Sequence, residues 1–178
     1  MRSLFPLLIA SCCFVASCCF GQDFTELART CVPKADLRSI AAIVKTESGF
    51  RPFALSLNYP TATTKHDLPP GRMWLASQPQ NEQEAAAWSH TLLKAGFTLS
   101  IGFMQVSLQE GYPIETLLNP CSNLQIGWSI FEKKYQQTVR QFGPGDRAIR
   151  AALSLYNSGS TTAGFRNGYV GKVLQKAR

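Results

Sequence analysis

Apolar residues recur along most of this chain at steps of three and four, the spacing of helices with one buried face. Leu37, Ile40, Ala41 and Val44 form such a stripe, and Glu47 continues it three residues past Val44. The spacing predicts a first strong helix over 33–48, stopped by Gly49 and Pro52. Asn81 followed by Glu84 has the form of a capping box, opening a helix in which Ala85, Trp88, Leu92 and Ala95 line up before Gly96. A third helix is expected from about Asn123, with Leu124, Trp128, Phe131, Tyr135, Val139 and Phe142 on one side and Gly143-Pro144 as its stop. Asp146 is the expected cap of a fourth, in which Ile149, Ala152 or Leu153, and Tyr156 line up; a last helix is expected over 168–177. In "TLSIGFMQV" (98–106) Leu99, Ile101 and Phe103 alternate, which predicts a short extended segment. Residues 53–79 contain Pro60, Pro69, Pro70, Gly71 and Pro79 and no sustained period. They are expected to form a long loop, of the kind that serves as lid or wall to a site. The pattern describes one mainly α domain with a small extended or β element, without repeats and without a second domain.

The first residues stand apart. Met1-Arg2 is followed by a thirteen-residue apolar run from Leu4 to Ala16, and Gly21 offers a small residue for cleavage. The run is shorter than the roughly 20 residues a membrane-spanning helix needs, and reads as a secretory signal over 1–21. The domain over 22–178 is then exported, and its expected location is the periplasm. "IASC" ending at Cys12 and "VASC" ending at Cys18 resemble a bacterial lipobox. Lipidation at Cys18 is therefore the alternative to a free chain, and the one route to a membrane. Four of the six cysteines lie in the signal, leaving Cys31 and Cys121. Two cysteines in an oxidising compartment point to one disulfide, closing 90 positions, in preference to two buried thiols.

The formal net charge is +7, with the basic residues scattered and Lys133-Lys134 the one adjacent pair. Without a basic strip interleaved with aromatics, a nucleic-acid groove is not expected; attraction to an anionic envelope polymer is. The two histidines, His66 and His90, fall in no metal-ligand spacing, and there is neither a nucleophile elbow nor a phosphate-cradling glycine loop. No metal and no cofactor is expected, and carboxylate chemistry remains. An ionised carboxylate on a buried stripe, at the negative end of the helix dipole, is costly unless it holds a proton or finds donors. That is the condition of a general acid. The alternative for Glu47 is a frayed last turn that points it into solvent.

Three stretches, in order, carry a resemblance. "ES" at Glu47-Ser48, "GFMQ" over 102–105 and "YN" at Tyr156-Asn157 resemble the spaced motifs of the lytic transglycosylases, enzymes of lysozyme-like fold related to goose-type lysozyme. The chain is most similar to the small transglycosylases of type IV secretion and conjugation machines. "FTELARTCVPKADLRSIAAIVKTESGFRPFAL" resembles their first helix, "NEQEAAAWSHTLLKAGFTLSIGFMQV" the helix leading to the Gln motif, and "NPCSNLQIGWSIFEKKY" the segment with the second Cys. "ALSLYNSG" and "GYVGKV" resemble the end, so the likeness runs over nearly all of 22–175.

The resemblance implies a lysozyme-like domain that cleaves the β-1,4 bond between N-acetylmuramic acid and N-acetylglucosamine in peptidoglycan. Glu47 would be the sole catalytic acid and base. It would protonate the leaving oxygen, then take the proton of the muramyl 6-hydroxyl as that group closes a 1,6-anhydro ring. Ser48 would bond Glu47 or its surroundings, Gln105 a sugar amide or hydroxyl, Tyr156 would present its hydroxyl beside Glu47, and Asn157 would bind glycan. Met104 is expected to be a wall of the pocket. The residue-level alternatives are a helix-end Ser48, an exposed strand position for Gln105, core packing for Tyr156, and a helix cap for Asn157 before Gly159. Asp67, in the long loop, and Glu110, just past the Gln motif, are the acids that would serve a two-carboxylate hydrolase. Phe103 stands where the family usually has Leu, and Ser100 where it often has Asp. The implied partners are glycan strands and components of a secretion or conjugation apparatus. The rival readings are a lysozyme-type hydrolase, a glycan-binding assembly factor, and a phage or general wall remodeller.

Overall fold

A computed structural model describes residues 16–58 and 72–178. Most of the expected signal, with Cys12, and the centre of the expected loop, with His66 and Asp67, lie outside the described residues. The described residues form eight α-helices and four strands. Helix α1 (Ala16–Cys31) runs through the expected cleavage point at Gly21 and buries Phe24, Ala28 and Cys31, at helical steps of four and three. Helix α2 (Leu37–Glu47) starts later than the spacing predicts, because Asp36 caps it. The Asp36 carboxylate accepts the Ser39 hydroxyl at 2.6 Å and the Ser39 N–H at 2.8 Å. Those bonds, the side-chain one first, hold the Asp36 carboxyl below its ordinary range. The buried face of α2 is wider than one stripe, since Ala42 and Ile43 are covered as well as Ile40 and Val44. Helices α1 and α8 (Tyr169–Lys176) both pack against it, so α2 is central.

The chain then enters a sheet of order β2-β1-β3-β4, antiparallel throughout. Strands β1 (Leu55–Asn58) and β2 (Arg72–Trp74) fall where a continuous loop is predicted. They are only four and three residues long; β1 buries Leu55, Ser56 and Leu57 together, so no polar-apolar alternation marks it, and β2 is too short to carry a period. Leu57 lies opposite Leu99 and Leu55 opposite Ile101 of β3 (Thr98–Ile101), whose other edge pairs with β4 (Val106–Ser107).

Helix α3 (Glu82–Lys94) is capped by Asn81, which accepts the Glu84 N–H at 2.9 Å. The return bond to Glu84 comes from Gln80, one residue before the cap. After a 3-10 turn (Leu108–Glu110) and the short α4 (Ile114–Leu118), helix α5 (Pro120–Phe142) crosses the molecule. Its 23 residues span about 35 Å. Asn119 caps it and Pro120 takes the first position, where a missing N–H costs nothing. Helix α6 (Asp146–Ser158) packs along α5, fastened where the Thr138 hydroxyl donates to the Ala148 carbonyl at 2.8 Å. Gly145, not Asp146, is the cap residue of α6; Asp146 is its first residue and pairs with Arg150. The last helix, expected over 168–177, is α8, and a short α7 (Ala163–Arg166) precedes it across a left-handed Gly168. Cys31 and Cys121 are joined, which ties the end of α1 to the first turn of α5.

Candidate active site

Helix α2 ends on Glu47, and the stripe that carries it inward leaves the side chain 1% exposed. It is the one buried carboxylate among the described side chains. The chain leaves α2 through Gly49 and Phe50, both in left-handed conformation (φ 63° each), an unusual state for Phe50. The Phe50 ring rests against Phe24, centroids 4.9 Å apart, so packing on α1 holds this exit.

A partner of Glu47 comes from the other end of the chain. The Tyr169 hydroxyl, at the start of α8, donates to Glu47 Oε1 at 2.6 Å, and the Tyr169 residue is itself buried. Three further contacts set that phenol. Lys176 Nζ donates to the Lys45 carbonyl at 3.3 Å, fastening α8 to the end of α2. Burial, with Lys45 and Lys172 nearby, pushes the Lys176 ammonium below its ordinary range. The Tyr169 N–H donates to Asn167 Oδ1 at 3.0 Å, and Asn167 Nδ2 donates to Asn157 Oδ1 at 2.8 Å. Asn157 therefore connects to Glu47 through Asn167 and Tyr169. Sequence reasoning passed over Tyr169 and Asn167; the signal for Tyr169 was the "GYVGKV" likeness, in which no residue was given a role, and Asn167 lies just before it.

The Gln motif is a tight turn gripped from α5. Asn123, fully buried, donates from Nδ2 to the Ile101 and Leu117 carbonyls, each at 2.9 Å, and accepts the Met104 N–H at 2.8 Å. Gly102 and Gly127 make the grip close: a Cβ on Gly102 would lie 2.3 Å from Asn123 Nδ2, and one on Gly127 2.3 Å from Met104 Cβ. Met104 is thus wedged, fully buried, against α5.

Gln105 likewise turns inward. Its Oε1 accepts the Ser56 hydroxyl at 2.7 Å, and its Nε2 donates to the Ala54 and Gly102 carbonyls, each at 3.0 Å. With both amide protons used inside the protein and 3% exposure, Gln105 braces β1 to the turn where a sugar contact was expected. Its own φ of 48° is the second left-handed non-glycine conformation among the described residues. The Tyr156 hydroxyl donates to the Met104 carbonyl at 2.7 Å, so the phenol bonded to Glu47 is Tyr169. Ser48 has its hydroxyl on the Val44 carbonyl at 3.2 Å, closing α2 without reaching Glu47.

Beside the turn lies a cleft of about 320 Å³ whose lining includes Asn58, Gln109, Glu110, Lys134, Tyr156 and Asn157. Glu47 does not line it. Among the described residues no three His, Cys, Asp or Glu side chains lie together as metal ligands. No helix among them is long and apolar enough to cross a membrane.

Replacing Asn123 with Leu strands two carbonyls and one N–H in the core. The expected loss is about 3 kcal/mol, because an orphaned buried group costs about 1–3 kcal/mol. Urea unfolding with an unchanged m-value checks it.

A mainly helical domain that buries one carboxylate at a helix end, next to a small antiparallel sheet, has the lysozyme-like plan. The chain belongs to the transglycosylase SLT domain family, whose model matches residues 26–177. It is 33% identical over 164 residues to the "Type IV secretion system protein virB1" of Brucella abortus biovar 1 (strain 9-941), covering 86% of this chain and 63% of that protein. It is 31% identical over 160 residues to "Protein virB1" of Agrobacterium fabrum, covering 88% of this chain and 60% of that one. The chain thus spans about three fifths of the length of these curated relatives. No solved structure matches it.

Proposed function

We propose that this protein is a peptidoglycan lytic transglycosylase of the periplasm, opening the wall locally for a type IV secretion or conjugation apparatus. The observation that carries the reading is the buried Glu47 carboxyl, bonded to Tyr169 in a chain whose family is defined by transglycosylase domains. Glu47 protonates the glycosidic oxygen between N-acetylmuramic acid and N-acetylglucosamine. As carboxylate it then takes the proton of the muramyl 6-hydroxyl, whose oxygen attacks the anomeric carbon and closes the 1,6-anhydro ring. One group serves both steps, since the nucleophile belongs to the substrate and is already adjacent to the carbon it attacks. Because Glu47 is 1% exposed, glycan binding has to uncover it. The Tyr169 hydroxyl stabilises the carboxylate that forms after the first proton leaves.

Tyr169→Phe is expected to lower the rate of fragment release about ten- to a hundredfold, the range for a hydrogen bond to a charged group. Initial rates on purified murein check this. One observation favours a second reading, hydrolysis by two carboxylates: Glu110 lines the cleft. The mass of the soluble fragments separates the two. Anhydro-muropeptides support the transglycosylase, and reducing ends would move the reading to a hydrolase. The export signal and the Cys18 lipidation alternative are read out by the N-terminal residue of the protein recovered from cells.

A further inference from the structure

The sheet has a second side, away from the cleft. Met73 of β2 lies opposite Leu57 of β1, so it points to the face opposite the one that carries Asn58 and Ser100 into the cleft lining. Met73 is 42% exposed there. Two residues on, Leu75 lines a hollow of about 300 Å³ between the end of β2 and α3, with Trp88, Thr91 and Leu92 on the helix side. The hollow and the cleft share no lining residue.

Two sides of α3 are taken up within the protein: Ala85 and Ser89 are buried, and His90 reaches Glu115 of α4 at 3.5 Å. A third side is left over. Glu84, Trp88, Thr91 and Ala95 follow one another at steps of four, three and four, the spacing of a single stripe. Between Ala85 and Leu93 there is no Asp, Glu, Lys or Arg. Ala87, Thr91 and Ala95 are exposed, and Trp88 is half-buried. An uncharged helix side beside an apolar hollow has the character of an interface rather than of a solvated surface.

The two ends of the stripe say what covers it. It starts on an acid, Glu84, and ends beside a base, Lys94. When two α3 helices run antiparallel about a twofold axis, each Glu84 meets Lys94 of the second copy, and each Trp88 meets its Thr91. A parallel pair would set like charge against like. Glu84 Oε2 accepts the Gln80 N–H at 2.8 Å, which leaves Oε1 for the second copy. We propose that the protein pairs with a second copy of itself through antiparallel α3 helices, leaving the cleft of each copy open. The proposal is independent of the reaction assigned to the cleft.

Sedimentation of the protein recovered from cells tests it. The average mass is expected to rise from one chain toward two between about 1 and 500 µM, as for a small interface. A carbodiimide joins a carboxylate to a touching amine with loss of water, and is expected to link Glu84 to Lys94. Ten positions apart on one helix, these residues are about 15 Å from each other, so the link forms only between copies. Thr91→Glu buries an unpaired charge against Trp88 of the second copy and should keep the protein monomeric throughout that range. Lys94→Glu sets like charges together at both ends and should weaken pairing about tenfold at low salt. Both substitutions are at exposed positions, and unchanged circular dichroism shows that association and not the fold has altered.

A mass of one chain at every concentration would overturn the proposal and give this face to a partner of different sequence. A pair that survives Thr91→Glu, or carbodiimide products without the Glu84–Lys94 link, would overturn it as well. None of these results touches the transglycosylase reading.

Discussion

Glu47→Gln is expected to lower the release of murein fragments by about a hundred- to ten-thousandfold, the span that positioned acid-base groups contribute. The amide keeps the size of the side chain and can still accept the Tyr169 hydroxyl, so the fold is expected to survive. What is lost is the exchangeable proton. On the proposed mechanism the same group acts first as acid and then as base, so the substitution removes both steps, and among the described residues no other carboxylate is buried. The other acids whose side chains are described are half-buried or exposed, including Glu110 in the cleft. An equal melting temperature for the two proteins, with activity gone from one, is the expected pair of results. If Glu47→Gln retained activity within a few-fold of wild type, the acid would have to be sought elsewhere.

Replacing Cys31 and Cys121 together with Ser is the second large effect, and it acts on stability. The bond closes a loop of 90 positions and joins α1 to the first turn of α5, with Cα atoms 5.3 Å apart. Constraint of the unfolded chain by a loop of that size corresponds to about 4–5 kcal/mol. For a domain of this length that is a fall in Tm of about 8–20 °C. The link matters to the site as well. Helix α1 presents Phe24 to Phe50 just beyond Glu47 and to Phe103 in the Gln turn, and α5 supplies Asn123 to that turn. Freed from α5, α1 would loosen two sides of the same carboxylate. Calorimetry on the double variant and on reduced wild-type protein should give similar losses; a shift of less than about 2 °C would show that packing alone holds α1, since about 1 kcal/mol moves Tm by that much.

The helices were legible where a stripe and its punctuation coincided: α3 between Asn81 and Gly96, α5 up to Gly143. Glu47 was legible for the same reason, as a charged residue in an apolar register. Asn123 emits the same signal, a polar residue that its helix buries completely, yet its place at the start of a stripe made it look like a boundary. Strand β1 was not legible, because a short strand buried on both faces lacks alternation, and β2, three residues with Met73 and Trp74 exposed, is too short to carry a period. The roles of Met104 and Gln105 are set by what lies across from them. Gly127 leaves the space that Met104 fills, and Ser56 with two carbonyls saturates Gln105. Tyr169 is 122 positions from Glu47, a pairing that local periodicity cannot express. Helix α1 was hidden by the secretory run that overlaps its first residues.

The measurement that bears most directly on the central claim is mass spectrometry of fragments released from murein in water enriched in heavy oxygen. Wild-type protein should yield muramyl ends one water lighter than hydrolysis products and free of label, because the oxygen that closes the ring comes from the sugar itself; Glu47→Gln should yield almost none. Reducing ends that carry one heavy oxygen, or undiminished release by Glu47→Gln, would contradict the account.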